Sequence, residues 1–254
     1  KPLPKEEIGV SHGHPSSSLS GNWLLSLAGS VQHWFDRPAL THCFINRQAA
    51  RILLTDGCTW EGSWLRRHLS SFNRGAVWAD ADWKNIHHYL QPLNRRGLWR
   101  FHSALEEFQS YFEKAVSAAK NADEKQAAFF LGAAAHLLQD LCVPHHAQAQ
   151  LFDGHKEYET WAASHRHQYK AQAGGLYYTR QEPLTWLLQN AEQATSLYPR
   201  TAQGASEADY HQATQILLPL AQRSTAGLLE RFSSRLALRP AFAGWRQQDE
   251  AANG

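Results

Sequence analysis

The sequence contains no methionine, not even at position 1, although it has 254 residues and fifteen histidines. Because translation starts with methionine, we expect that an amino-terminal segment has been removed, and a signal peptide is the simplest candidate. The missing methionine therefore predicts a secreted or periplasmic protein.

Long apolar runs and a strong net charge are also lacking. The longest apolar candidate, residues 23–31, contains serine and glycine and is too short to cross a bilayer. The net charge is only +2, without the basic stripe typical of nucleic-acid binders, so no stable nucleic-acid partner is expected. With 43% hydrophobic and 19% charged residues, the composition favours a packed, soluble core over disorder.

Cysteine is scarce, with only Cys43, Cys58 and Cys142. Two of them could form a disulfide in an oxidising compartment, or all three could be buried thiols. Histidine, by contrast, is abundant. A surplus of histidine over cysteine favours zinc bound by imidazole and carboxylate groups and argues against thiolate clusters.

Apolar residues recur at three- and four-residue steps along most of the chain, which predicts helices, and no long run alternates with period two. The sequence therefore predicts an all-α fold. Asp123 is a suitable N-cap for one helix, Pro144 follows the end of that helix, and residues 77–96 are expected to be a connecting loop. The predicted helices cover residues 40–54, 60–72, 98–119, 124–142, 156–171, 183–194 and 207–238.

Composition also divides the chain along its length. Residues 1–33 carry prolines, glycines and a serine run, and we interpret them as a leader or propeptide-like segment with one short amphipathic stretch. Residues 34–240 are expected to form a single all-helical catalytic domain, and residues 241–254 a polar tail.

Two histidine–carboxylate pairs have the spacing of metal ligands. His136 and Asp140 are separated by one helical turn, as are His155 and Glu159, so each pair projects from one helix face and can hold one ion. His145 and His146 lie between the pairs, after Pro144. One such pair is often an ordinary surface or core pair, but two close together, with a further ligand candidate between them, predict a metal centre.

These residues carry a family resemblance. The stretches 125–140, 144–146 and 154–159 resemble the zinc-dependent phospholipase C family, which pairs a His-x3-Asp-x5-His block with a downstream His-x3-Glu block. In the first block the second histidine lies ten residues after the first, a spacing that His136 has with His146 and not with His145. Related single-strand nucleases usually end the second block in aspartate, so Glu159 favours the lipase branch. The resemblance implies one multi-helix domain. Larger members of the family add a C-terminal β domain, which is not expected here because only a short tail follows Arg239.

The resemblance also implies ligands nearer the amino terminus. It indicates His42 within 41–47, Asp80 within 75–80, with Asp82 as a competitor, and His88 within 88–92, beside His87. It implies three zinc ions in all. The implied groups are Asp80, His88, His136 and Asp140; His146, His155 and Glu159; and Trp34, His42 and a shared Asp140.

Trp34 requires a separate hypothesis, because the family binds zinc through the free amine and carbonyl of an N-terminal tryptophan, and Trp34 is internal here. Cleavage between His33 and Trp34 would create that ligand, and until then His12, His14 or His33 could block the site. Alternatively, Trp34 is an ordinary core aromatic residue.

The implied activity is hydrolysis of the glycerol-side phosphodiester bond of phospholipids, with Asp80 orienting or deprotonating the water. The enzyme is expected to be a monomer that meets the membrane transiently. Headgroup preference stays open, because Ala81, Asn85 and Arg37 replace the family's choline-binding positions. The alternatives are a secreted nuclease or nucleotidase, which needs stacking platforms such as Trp78, Trp83 and Trp161, and a non-catalytic zinc-binding protein.

Overall fold

A computed structural model of the chain describes residues 22–81, 88–93, 103–177 and 182–237, with side chains from residue 39 onward. These residues contain helices and connecting turns and no β-strand, which confirms the all-α prediction. The helices are α1 (Asn22–Thr55), α2 (Thr59–Ala79), α3 (Ala104–Lys120), α4 (Glu124–Asp140), α5 (Pro144–Ala147), α6 (His155–His165), α7 (Pro183–Ser196) and α8 (Glu207–Ala237), with 3-10 turns at Arg166–Gln168 and Tyr198–Arg200.

Several predicted boundaries were wrong. Helix α1 begins at Asn22 instead of residue 40, and α6 ends at His165 instead of residue 171. Helix α2 continues to Ala79, which includes the first three residues of the expected loop, because Trp78 packs against the rings of Tyr111 and Phe129. The division into leader, catalytic domain and tail stays a prediction.

Helix α4 is the central element. Every residue from 131 to 140 is buried, and α4 packs against α2, α3, α7 and α8. A helix that is apolar on all sides belongs in the interior of a domain. The buried polar residues near its end, His136, Gln139 and Asp140, are costly there unless each finds partners.

Two glycines bring α2 and α4 into direct backbone contact. A Cβ atom at Gly75 would overlap the carbonyl oxygen of Phe129 on α4, and one at Gly132 would overlap that of Phe72 on α2. Each helix therefore presents a glycine to the backbone of the other. This close approach sets the distance between His136 and Asp140 on α4 and Asp80, which follows the end of α2.

Candidate metal centre

The first group of the site forms around the carboxylate of Asp140. Its Oδ2 lies 3.0 Å from Nε2 of His136, one turn earlier on α4, and 2.8 Å from Nδ1 of His88. The two imidazole nitrogens are themselves 3.1 Å apart. On the other side of the carboxylate, Oδ1 lies 3.4 Å from Nε2 of His42 on α1. Asp140 thus joins two sets of imidazole ligands through its two oxygens.

The segment that follows α2 supplies two members of this group, His88 and Asp80. His88 lies within 3.1 Å of the carbonyl oxygen of Ala79 through Nε2, which orients Nδ1 towards Asp140. Asp80 is the C-terminal cap of α2 and is half-buried, and it can bring a carboxylate oxygen within 4.8 Å of nitrogens of His88 and His136. The competitors considered from sequence, Asp82 and His87, lie outside the described residues.

The second group lies on α5 and α6. Nε2 of His155 is 3.0 Å from Oε1 of Glu159, and Nε2 of His146 is 3.5 Å from the same oxygen. The ring of Tyr89 stacks on His146, and the backbone N–H of Leu90 donates to the His146 carbonyl, 3.0 Å away. These contacts join the segment after α2 to the second group.

His145, the neighbour of His146, is used differently. Its Nε2 lies 3.0 Å from the carbonyl oxygen of Asp153, and its ring stacks on His155 with centroids 4.7 Å apart. Burial and the neighbouring His155 lower the pKa of His145 to about 4. His145 therefore supports the ring of His155, whereas His146 joins the metal-spaced group.

Buried charge explains why these contacts occur together. Burial would raise the pKa of both carboxyl groups, but His136 holds that of Asp140, and His155 that of Glu159, well below the usual range. Burial would lower the pKa of His146, yet Asp140 and Glu159 raise it to about 9. Two ionised carboxylates in one interior site need compensating positive charge.

A zinc ion fits this requirement. The His88, His136 and Asp140 ligand atoms are 2.8–3.1 Å apart, so one ion can reach all three at zinc–ligand distances of about 2.0–2.2 Å. Burial lowers the pKa of His42 and His88, which favours the neutral imidazole that binds metal. All donors are imidazole or carboxylate groups, and the three cysteines are free thiols that belong to none of the metal-spaced groups.

The structure brings together eight of the nine residues that the sequence suggested as metal ligands. They are His42, Asp80, His88, His136, Asp140, His146, His155 and Glu159. Trp34 lies in α1, but its side chain is outside the described part, so its role stays a prediction. Sequence reasoning missed Gln139, whose side chain accepts a hydrogen bond from Nδ1 of His42 at 2.8 Å. Its signal in the sequence was an amide within the mostly apolar run of residues 127–140.

The comparisons with known proteins identify the class to which this site belongs. The family model for zinc dependent phospholipase C matches residues 41–205, a range that contains all eight of these residues. The chain belongs to the zinc-dependent phospholipase C family. Among its described residues, no helix is both long and apolar enough to cross a membrane.

The individual relatives share about a quarter of their residues with this chain or fewer. A phospholipase C of Clostridium perfringens is 26% identical over 232 residues, a match that covers 76% of this chain and 58% of the relative. Two solved alpha-toxin structures share the fold. The one from an avian strain of C. perfringens has 22% identity and a TM-score of 0.65, and the one from Clostridium absonum has 23% and 0.69. Each comparison covers 76% of this chain and 62% of the toxin.

Proposed function

We propose that the chain hydrolyses the glycerol-side phosphodiester bond of phospholipids, releasing diacylglycerol and a phosphorylated headgroup. The observation that carries this proposal is the meeting of the Asp140 group with a second group, His146, His155 and Glu159, which has three protein donors among the residues that the structure describes. Structural zinc sites usually have four protein ligands, so a three-donor group favours catalysis, because it leaves a position for water or substrate.

The donor sets suit three ions. Asp80, His88, His136 and Asp140 would hold one, and His146, His155 and Glu159 a second. His42 and the other oxygen of Asp140 would contribute to a third, with Trp34 if processing exposes it. When bound, neighbouring zinc ions lower the pKa of water and neutralise charge on the phosphate.

Among the carboxylates, Asp80 is the best candidate to orient and deprotonate the attacking water. Asp140 contacts imidazoles through both oxygens, and Oε1 of Glu159 contacts two imidazoles. Asp80 follows the end of α2 and is less buried than Asp140. A general base must reach the water that it deprotonates, and this position suits that role.

The loop between His146 and His155 supports a lipid substrate. Phe152 is 79% exposed and Leu151 39% exposed, side by side on a segment that separates two ligand residues. The loop is anchored at Asp153, whose carboxylate accepts hydrogen bonds from the Tyr198 hydroxyl and the Gln203 N–H. Two apolar side chains held in solvent beside the metal centre could contact the acyl region of a membrane.

Two of the three tryptophans suggested as base-stacking platforms are described, and they give the nuclease alternative less support. Trp78 packs against Tyr111 and Phe129, and Trp161 already stacks on His165 with centroids 4.1 Å apart. Trp83 lies outside the described residues. Single-stranded DNA therefore enters the experiment as a competing substrate.

A release assay tests the proposal with vesicles of phosphatidylcholine, vesicles of phosphatidylethanolamine, and single-stranded DNA, each with and without chelator. We expect a phosphorylated headgroup and diacylglycerol from lipid, and no product after chelation. The headgroup preference stays open, since Asn85 and the Arg37 side chain lie outside the described residues. Comparison of the hydrolysis rates of the two lipids measures that preference. Cleavage of DNA alone would contradict the phospholipase assignment.

The proposal also includes location and assembly. We propose a secreted or periplasmic monomer that contacts the membrane only transiently. Fractionation of the producing cell and the sedimentation behaviour of the purified protein test these two points.

A further inference from the structure

Gln139 lies at the centre of a buried hydrogen-bond network that reaches one of the proposed zinc ligands. It is a residue of α4 that is only 2% exposed, and its side chain contacts three residues on two other helices. Its Oε1 lies 2.8 Å from Nδ1 of His42, and its Nε2 lies 2.8 Å from Oδ1 of Asn46 and 3.0 Å from Oγ1 of Thr225. His42 and Asn46 both belong to α1, and Thr225 to α8, so the contacts come from two elements.

Thr225 fixes the orientation of the Gln139 amide. A threonine hydroxyl has one hydrogen, and that of Thr225 is donated to the carbonyl oxygen of Ala221, 2.7 Å away. Thr225 can therefore only accept from Gln139. The NH2 group of Gln139 must face Thr225, which leaves its Oε1 facing His42.

Asn46 agrees with this orientation. Its Nδ2 donates to Oδ1 of Asn73 at 2.9 Å, so its own Oδ1 is the atom that accepts from Gln139. The two amides and the threonine thus form one consistent chain. The orientation of Gln139 does not depend on distinguishing nitrogen from oxygen by position alone.

The consequence falls on His42. An oxygen that only accepts requires a donor, so Nδ1 of His42 must carry the hydrogen. A neutral imidazole then has its lone pair on Nε2, the atom that lies 3.4 Å from Oδ1 of Asp140. A lone pair and a carboxylate oxygen that face each other repel unless a cation lies between them. The network prepares this pair of atoms to bind a metal ion.

We propose that Gln139 is a positioning residue that holds His42 in its Nδ1-protonated tautomer, with Nε2 directed at the ion shared with Asp140. This inference rests on the proposed metal set but not on the identity of the substrate. Partners that orient a ligating histidine typically change metal affinity by about 10- to 100-fold when they are removed.

The test combines histidine nitrogen NMR on the zinc-free protein with zinc affinity from competition against a chelator. In the wild type, we expect His42 to be protonated at Nδ1. Gln139→Leu should abolish that preference and weaken zinc binding about 10- to 100-fold. Gln139→Glu keeps an acceptor for Nδ1–H, so it should keep the tautomer while losing the hydrogen bonds to Asn46 and Thr225.

Asn190→Leu is the matched control. Asn190 is also 2% exposed, and its amide donates to Ser224 and to the carbonyl oxygen of Leu138, neither of which is a proposed metal ligand. This variant should lose stability but keep the His42 tautomer and the zinc affinity. Wild-type His42 protonated at Nε2, or unchanged zinc affinity in Gln139→Leu, would overturn the proposal. The first readout needs no variant to fold, and neither readout depends on lipid hydrolysis.

Discussion

Asp140 makes more contacts with imidazole groups than any other residue of the candidate metal centre. His88 and His136 lie at one of its oxygens and His42 at the other, all within 3.4 Å. A buried carboxylate in this position can bridge two ions, and its negative charge is a main reason for cations to bind there. The proposed function therefore depends on this charge more than on the shape of the side chain.

Replacing Asp140 by asparagine tests that dependence. Asp140→Asn preserves the shape but removes the charge, so we expect zinc affinity and lipid hydrolysis to fall by at least about 100-fold. Zinc content after dialysis and initial rates measure the two effects. Asp209→Asn is the control, because Asp209 pairs with Arg200 at 2.9 Å and belongs to no metal-spaced group. Normal zinc content in Asp140→Asn would contradict the bridging role.

At this scale, sequence spacing predicted which side chains could meet. The four-residue steps of His136–Asp140 and His155–Glu159 determine that each pair shares a helix face. The role of Gln139 could not be predicted, because it depends on the hydroxyl of Thr225, a distant residue on α8. Hydrogen-bond direction is a property of the folded network and leaves no pattern along the chain.

Among the elements, the α2–α4 crossing leaves no room for added side-chain atoms at two positions. Gly75 and Gly132 each face a backbone carbonyl of the opposite helix, and a carbonyl cannot move away as a side chain can. The same two helices hold parts of the site, since Asp140 ends α4 and Asp80 caps α2. Separation of the helices would therefore affect both stability and metal binding.

Gly132→Ala measures this constraint. The added methyl group overlaps the Phe72 carbonyl, so we expect unfolding free energy to fall by about 1–3 kcal/mol, as in other overpacked cores, and zinc to bind more weakly. Urea denaturation gives the energy. Gly62→Ala, on α2, is the comparison, because its added carbon would meet the Leu54 side chain at 2.7 Å and the Ala50 carbonyl oxygen at 3.2 Å, a milder overlap for which a smaller loss is expected. Equal stability of Gly132→Ala and the wild type would exclude the proposed contact.

The turn after α1 provides a pH-dependent contact. The Asp56 carboxylate accepts hydrogen bonds from the N–H groups of Gly174 and Gly175 and from the Tyr177 hydroxyl, at 2.7–3.0 Å. Burial would raise the pKa of Asp56, but these donors outweigh it and lower the pKa. Because its pKa is lower in the folded state, ionised Asp56 stabilises the fold at pH values above its unfolded-state pKa of about 3.9. This stabilisation is lost as the pH falls through the pKa of the folded state.

We therefore expect Asp56→Asn to be less stable than the wild type at pH 7, with a difference that shrinks as the pH falls below about 3.9. Urea midpoints of zinc-free samples at several pH values provide the measurement, so that loss of metal does not contribute. Glu113→Gln, on the exposed surface of α3, should follow the wild-type profile. A difference that grows towards low pH would have the wrong sign for this interpretation.

The loop between α5 and α6 connects the site to its proposed substrate. If Phe152 contacts lipid, Phe152→Ser should reduce cleavage of phosphatidylcholine vesicles more than cleavage of a short-chain phosphatidylcholine dissolved as monomers. The reason is that only the vesicle offers an acyl region for the ring. Ile216→Ser replaces another exposed apolar residue, on α8, and should leave the ratio of the two rates unchanged. Equal losses of activity on both substrates would contradict contact between this loop and the lipid.

For the whole molecule, the sequence predicted the class of fold and the family, because helical periodicity and ligand spacing are local properties. Helix boundaries were less predictable. The continuation of α2 to Ala79 depends on tertiary contacts of Trp78 that no local pattern reveals. The meeting of α1, α4 and the segment after α2 around Asp140 likewise came from the family resemblance and not from spacing.

The central claim is that this set of imidazole and carboxylate ligands makes the chain a zinc-dependent phospholipase C. Its most direct test is to identify, by mass spectrometry, the lipid products formed from phosphatidylcholine vesicles. One protein preparation is assayed in three states: as purified, after zinc has been removed, and after zinc has been restored. The account predicts diacylglycerol with zinc, none without it, and recovery on restoration. Phosphatidic acid as the product, or diacylglycerol release that persists after zinc removal, would contradict it.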